Sequence, residues 1–125
     1  MKVNINEMPV AMELGGNIMR TAKGFGDMDV NFHEFEAGTD FTPILQGLED
    51  DLCPCPHYGY IIEGAFRFIY KDGSEEVYET GDIYYAPAGH TAIVEKDTKL
   101  IDFSPVRAHE VLMSHVERVL ASMEG

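Results

Sequence analysis

Two cysteines and a histidine occupy alternate positions in the segment Cys53-Pro54-Cys55-Pro56-His57. In an extended chain, side chains two residues apart point to the same side, so Cys53, Cys55 and His57 would share one face. The two prolines fix φ and hold the segment extended. Thiolate sulfur and neutral imidazole nitrogen are the ligands that Zn²⁺ prefers, and they also suit softer transition metals. The spacing therefore predicts a divalent transition-metal site, with zinc favoured over iron, nickel and copper.

A second strand offers a fourth donor to this site. His90 follows the turn Pro87-Ala88-Gly89, from which its imidazole could reach across a pocket toward His57. Of the two sulfurs we expect Cys55 to be aimed better than Cys53, because it lies closer to His57 in the chain. Each residue also has an ordinary structural interpretation, since a free cysteine is often a small buried hydrophobe. A disulfide is disfavoured, because residues i and i+2 of a strand lie about 6.5 Å apart.

Short strands separated by turn signals must position these residues. A strand is predicted from Asp29 toward Gly38, and Asp72-Gly73 predicts a type I′ hairpin. Further strands are predicted over 58–63, 65–71, 76–79, 82–86, 90–95 and 99–103. Strands this short and evenly spaced, with no helix between them, indicate an all-β sandwich or a closed barrel.

The two ends of the chain have a different pattern. Residues 1–28 are weakly patterned and are expected to be an extension of the same domain, with a short amphipathic piece near 6–14. Ser104 suits a helix N-cap and Pro105 the first helical position. Within the predicted helix over 106–125, one face carries the apolar residues Leu112, Val116, Val119, Leu120 and Met123. This helix is expected to cover the 29–105 barrel or to pack on a partner.

Two segments resemble the conserved motifs of the cupin superfamily. The stretch from Gly81 to Gly89 resembles the second cupin motif, which runs Gly, five residues, Pro, one residue, Gly. The stretch from His57 to Gly64 resembles the end of the first motif, where a hairpin closes on a glycine. The whole string is similar to small uncharacterised cupin-domain proteins with a Cys-x-Cys-Pro-His segment. The resemblance implies a double-stranded β-helix (jelly-roll) barrel with a C-terminal helix.

The metal ligands that the superfamily usually carries are replaced here. Counting back from Gly64, the slot of the usual glutamate holds His57, and the two histidine slots hold Cys53 and Asp51. The second-motif histidine slot holds Ala92, with His90 two residues earlier on the same strand face. What the resemblance implies is therefore the location of the site, on the inward face of the barrel, rather than a particular activity.

The composition restricts the partners. Lys and Arg total 9 against 22 Asp and Glu, which gives a net charge of −13. Such a surface repels phosphate backbones and anionic headgroups, so binding to nucleic acid or to a membrane is not expected. The N-terminal residues have no secretory apolar run, which gives a cytoplasmic location by default. Tyr60 and Tyr84 are expected to line a ligand pocket, whereas His33, His109 and His115 are expected to be exposed or half-buried.

Two functions stay open at this stage. The first is a metal-dependent enzyme that acts on a small molecule, with His57 or His90 available as a general acid or base. The alternative is a non-catalytic cupin that binds a small ligand or a metal for sensing or storage. Whether the protein is an enzyme is left undecided by the sequence. A homodimer is expected in either case, because cupins commonly pair through barrel faces and because the apolar stripe of the C-terminal helix offers a surface for pairing.

Overall fold

An antiparallel β-sheet makes up most of the fold in the computed structural model, which describes residues 1–124. Its strands are β1 (Val10–Leu14), β2 (Asn17–Phe25), β3 (Met28–Phe35), β4 (His57–Tyr70), β5 (Glu75–Glu79), β6 (Ile83–Ala86) and β7 (His90–Pro105). Two helices, α1 (Thr42–Leu45) and α2 (Val106–Glu124), and two 3₁₀ turns, Ile5–Glu7 and Glu49–Asp51, complete it. The strand order is β1-β2-β3-β7-β4-β5, and β6 also pairs with β4. The predicted all-β fold with a C-terminal helix is confirmed.

The two longest strands, β4 and β7, pair along most of their length and carry the sheet around the core. Side chains from both halves of these strands pack in one cluster, which includes Ile61 and Leu100 from one half and Phe68 and Val94 from the other. The sheet is therefore folded over on itself. Among residues 1–124 the pairing does not run full circle, so the closed barrel that was expected is not confirmed.

A bulge at Gly64 makes this fold-over compatible with a continuous core. The register between β4 and β7 shifts repeatedly between Ile61 and Phe66. As a result Ile61 and Phe66 both point inward although they are five residues apart. Gly64 has φ +119°, and a Cβ there would overlap the side chain and backbone of Thr98. Only glycine fits this position.

Several local predictions need correction. Residues 58–63 and 65–71 form one strand, as do 90–95 and 99–103, because bulges rather than loops interrupt them. The hairpin after Tyr70 is confirmed, but its turn is not type I′, since only Gly73 has positive φ and Asp72 does not. Gly73 donates to the Tyr70 carbonyl, and the Asp72 carboxylate accepts from the Ser74 backbone. The amphipathic piece expected near 6–14 is divided between the 3₁₀ turn Ile5–Glu7 and strand β1, which pairs with β2 in the sheet.

Both ends of the chain cover the sheet. Helix α2 packs with α1 and β1 in a second apolar cluster that contains Leu112 and Val116, whereas Met123 stays exposed. The N-terminal Met8 packs against Val30 and Phe32 on the outer face of β3. The predicted helix over 106–125 is confirmed as Val106–Glu124, and it is packed on the sheet of its own chain. In the described part of the chain, no helix is long and apolar enough to cross a membrane.

Candidate metal centre

Cys53, His57 and His90 come together at one end of the core. One ligand atom from each lies within 4.8 Å of the others, and Cys53 Sγ is 3.8 Å from His57 Nε2. Zinc bonds of about 2.0–2.1 Å to nitrogen and 2.3 Å to sulfur place tetrahedral ligand atoms roughly 3.3–3.7 Å apart. Small side-chain rotations would bring the three atoms to these distances. The donor set and its geometry therefore fit a transition-metal ion.

Backbone pairing brings the segment before β4 to the start of β7. Cys53 donates its N–H to the His90 carbonyl at 2.7 Å, and Gly89 donates to the Cys53 carbonyl at 2.8 Å. His57, the first residue of β4, has its ring 5.2 Å from that of His90. Two strands and one loop thus each supply one donor.

The two histidines differ in how their outer nitrogens are held. His90 Nδ1 lies 2.8 Å from the Pro87 carbonyl, which only accepts hydrogen bonds, so Nδ1 carries the proton and Nε2 keeps its lone pair. His57 Nδ1 lies 2.9 Å from the Ser104 hydroxyl. Outer hydrogen bonds of this kind orient imidazole ligands in metal sites.

Burial gives the cluster a neutral charge state. Desolvation lowers the pKa of His57 to about 3 and that of His90 to about 4, so both imidazoles are neutral at physiological pH. Desolvation also raises the pKa of Cys53 to about 12, so its thiol keeps a proton until a cation displaces it. The neutral imidazoles can bind a metal directly, whereas Cys53 must first lose its proton.

Cys55 is fully buried but lies outside this cluster. Its Sγ contacts the Pro56 carbonyl and packs among apolar residues that include Leu45 and Leu112. Burial raises the pKa of this thiol well above its ordinary value. The expected preference for Cys55 over Cys53 is corrected by this geometry. The physical reason is that 53–56 is not a strand, so strict alternation does not apply before His57.

The cluster opens on a cavity of about 90 Å³ inside the sheet. Phe35, Phe66 and Phe68 form an apolar wall, and helix α2 closes one side with Leu112 and Val116. This volume is small beside the roughly 300–1,000 Å³ of pockets that hold drug-sized ligands. Only a ligand of a few heavy atoms would fit beside an ion.

Two polar residues in the cavity wall were not predicted. His33 and Asp102 line the cavity, and His33 Nε2 lies 3.7 Å from Asp102 Oδ2. His33 is 4% exposed, which corrects its expected exposure, and burial lowers its pKa to about 4. In the described structure, His33 Nδ1 has no hydrogen-bond partner. One signal was present in the sequence: Asp102 stands two residues after the inward Leu100, so strand alternation directs its carboxylate inward.

The two tyrosines expected in the ligand pocket lie elsewhere. Tyr60 is 43% exposed on the outer face, because it is one residue out of phase with the inward Ile61. Tyr84 is buried in the core and stacks on Tyr78 with ring centroids 4.3 Å apart, but it does not line the cavity. A Cβ on Gly59 would overlap the Tyr84 ring, so the glycine makes room for it. Neither tyrosine is part of the candidate site.

The phenol of Tyr84 allows a test of this assignment to the core. Among the described residues its hydroxyl is buried and has no hydrogen-bond partner, whereas the Tyr78 hydroxyl contacts Glu76 and Tyr70. Because an unsatisfied buried hydroxyl costs about 1–3 kcal/mol, we expect Tyr84→Phe to stabilise the protein by about 1 kcal/mol. The matched Tyr78→Phe should destabilise it by a similar amount. Urea unfolding measures both, and destabilisation by Tyr84→Phe would contradict the assignment.

The fold of this chain, but not its sequence, is similar to that of known proteins. No family model and no curated protein matches the sequence. Among solved structures, an RmlC-like cupin from Shewanella frigidimarina is similar with a TM-score of 0.59 and 21% identity, covering 84% of this chain and 90% of that one. Ectoine synthase from P. lautus is similar with a TM-score of 0.62 and 13% identity, covering 85% and 78%. The iron(II) structure of HppE gives 0.59 and 13%, covering 83% and 59%.

This chain has the cupin fold. Identities this low establish the architecture alone. Within this fold, His90 occupies the cluster, while Ala92, in the slot where the resemblance places the second-motif histidine, lines the cavity without a donor. Asp51 is exposed and its carboxylate accepts from the Gly47 backbone, so it lies outside the cluster.

Proposed function

We propose that this cupin binds a divalent transition metal, with zinc favoured, through Cys53, His57 and His90. The observation that carries the proposal is the convergence of one sulfur and two imidazoles within 4.8 Å in a buried, neutral pocket. Structures with the same fold include an iron(II) form of HppE, which supports the binding of a transition metal by this fold. A cytoplasmic location belongs to the same proposal, because a reducing compartment keeps Cys53 a thiol.

Three protein ligands favour an enzyme that acts on a small molecule over a storage or sensor site. Structural zinc sites use four protein ligands, whereas catalytic ones use three and leave a position for water or substrate. A bound ion in such a site polarises a carbonyl or activates water. The open position would face the cavity that His33 and Asp102 line. A non-catalytic ligand-binding cupin is the alternative, and a fourth protein ligand found at the bound ion would favour it.

The cavity wall indicates the class of ligand. No lysine or arginine of residues 1–124 lines the cavity, and Asp102 places a carboxylate there. A divalent ion would already be balanced by the Cys53 thiolate and the Asp102 carboxylate, so a dicarboxylate would bury negative charge without compensation and is disfavoured. The unpartnered Nδ1 of His33 suits a ligand with a hydrogen-bonding group, and the phenylalanines suit an apolar body. We therefore propose a small uncharged molecule as the ligand.

A zinc titration of the metal-free protein tests the proposed centre. We expect one Zn²⁺ per chain, with release of about one proton at pH 7, because His57 and His90 are already neutral and only Cys53 must ionise. Calorimetry in buffers of different ionisation enthalpy measures the proton count. Absence of zinc binding would refute the centre, and release of two or more protons would show a different ligand set.

The proposed homodimer is supported by a surface other than the helix stripe. The outer face of β6, β4 and β7 exposes six large apolar side chains, Tyr58, Tyr60, Ile62, Ile83, Tyr85 and Phe103. They lie on neighbouring strands, with Tyr58 opposite both Tyr85 and Phe103. At 37–85% exposure they present roughly 600 Å², against roughly 800 Å² per partner in a standard interface. An uncharged face is also where two chains of net charge −13 would meet with least repulsion.

Light scattering distinguishes this face from the helix. We expect twice the 14.0 kDa mass of one chain for the wild type and for Val111→Lys, which alters an exposed apolar residue of α2. Ile83→Lys should give a monomer, because it places a charge in the proposed interface. A monomeric wild type across a wide concentration range would refute the dimer, and dissociation by Val111→Lys alone would move the interface to α2.

A further inference from the structure

We infer that Ser104 is a positioning residue for the metal centre: it holds the proton of His57 on Nδ1, so that the Nε2 lone pair stays turned toward Cys53. The inference rests on the proposed metal centre for its functional meaning. The proton position itself is a property of the metal-free protein and is measurable without a metal.

The contact between Ser104 and His57 can run in either direction. A hydroxyl both donates and accepts, so the 2.9 Å distance to Nδ1 fits two arrangements. If Ser104 donates, the imidazole carries its proton on Nε2, which faces Cys53 Sγ at 3.8 Å and could not bind a metal. If Ser104 accepts, Nε2 is free. The neighbours of Ser104 decide between the two.

Asn31 occupies one lone pair of the Ser104 oxygen. The Asp102 carboxylate only accepts hydrogen bonds, so the Asn31 group 2.6 Å from its Oδ1 must be the amide nitrogen. The same Nδ2 lies 3.3 Å from Ser104 Oγ and donates to it. In this orientation the amide oxygen accepts from the Thr21 hydroxyl at 2.7 Å.

Asp102 favours the arrangement in which Ser104 accepts. Its Oδ2 lies 3.9 Å from His57 Nδ1, and its negative charge favours a proton on that nitrogen. With one lone pair of the Ser104 oxygen taken by Asn31, the other accepts Nδ1–H of His57.

Nitrogen-15 NMR of the histidine rings in the metal-free protein at pH 7 tests this directly. We expect the Nδ1–H tautomer for His57 in the wild type, a shift toward Nε2–H in Ser104→Ala, and recovery in Ser104→Thr, which keeps a hydroxyl. His90 is the internal control, because the Pro87 carbonyl holds its Nδ1–H in every variant. Zinc affinity should fall about 10–100-fold in Ser104→Ala and recover in Ser104→Thr.

The possible outcomes separate this inference from the metal centre itself. Nε2–H on His57 in the wild type would overturn the role of Ser104, and this result does not depend on any variant folding. An unchanged tautomer in Ser104→Ala would also overturn it, even if zinc binding weakened. A wild type with the Nδ1–H tautomer and the expected Ser104→Ala shift, but without zinc binding, would refute the metal centre and uphold the assignment of the proton.

Discussion

Zinc binding should be lost, by well over about a hundredfold in affinity, in each of the variants Cys53→Ser, His57→Ala and His90→Ala. Each removes one of the three donors that converge in the pocket, which is a larger loss than the 10–100-fold typical of an outer hydrogen-bond partner. The sheet should stay folded, because its stability depends mainly on the apolar cluster around Ile61 and Leu100. Calorimetry and metal analysis of the purified variants measure the effect.

Cys55→Ser is the matched control for this experiment. It makes the same exchange of a thiol for a hydroxyl two residues from Cys53. Since Cys55 lies outside the cluster, the affinity of the Cys55→Ser protein for zinc should stay close to that of the wild type. A loss in Cys55→Ser with full occupancy in Cys53→Ser would reverse the ligand assignment and restore the expectation drawn from the sequence.

The metal-free protein should lose about 4 kcal/mol of its free energy of unfolding between pH 7.5 and pH 5.5 through three buried histidines. Burial lowers the pKa of His33 and His90 to about 4 and that of His57 to about 3, against 6.5 when unfolded. The unfolded chain therefore binds more protons below pH 6.5, so stability is full above that pH and falls as the pH drops toward 4. Each histidine lowers the free energy of unfolding by a little more than about 1 kcal/mol at pH 5.5.

Urea unfolding with a chelator present measures this dependence, and His33→Phe isolates one contribution. Phenylalanine keeps the ring that stacks on Phe35 at 4.9 Å, removes the titrating group and does not touch the three proposed ligands. The variant should lose about 1 kcal/mol less of its free energy of unfolding than the wild type over the same interval. An equal loss in both proteins would show that His33 titrates as an exposed histidine does.

Much of the fold could be predicted from the strand pattern of the sequence, because alternation and glycine turns are local properties. Most predicted strands exist, and Gly64 closes the bend that its motif indicated. Local patterns failed where a partner decided the outcome. Residues 10–25 were not predicted as strands, because they lack a clear alternation of their own. They form β1 and β2 through pairing with each other and with β3. The inward row of β3 includes the polar Asn31 and His33, while the apolar Val30 and Phe32 face outward under the N-terminal segment.

For the site, the sequence by itself determined which residue types could bind a metal and that His57 and His90 belong to inward strand positions. Alternation alone also excludes Tyr60 from the inward face of the strand, because it lies an odd number of residues from His57. Only the tertiary structure decided which of Cys53 and Cys55 faces the histidines. The hydrogen bonds donated by Cys53 and by Gly89 align the loop with β7, and they join residues 36 or more positions apart. The placement of Asp102 and Ser104 beside His57 likewise depends on the pairing of β4 with β7, and long-range pairing leaves no mark in a local pattern.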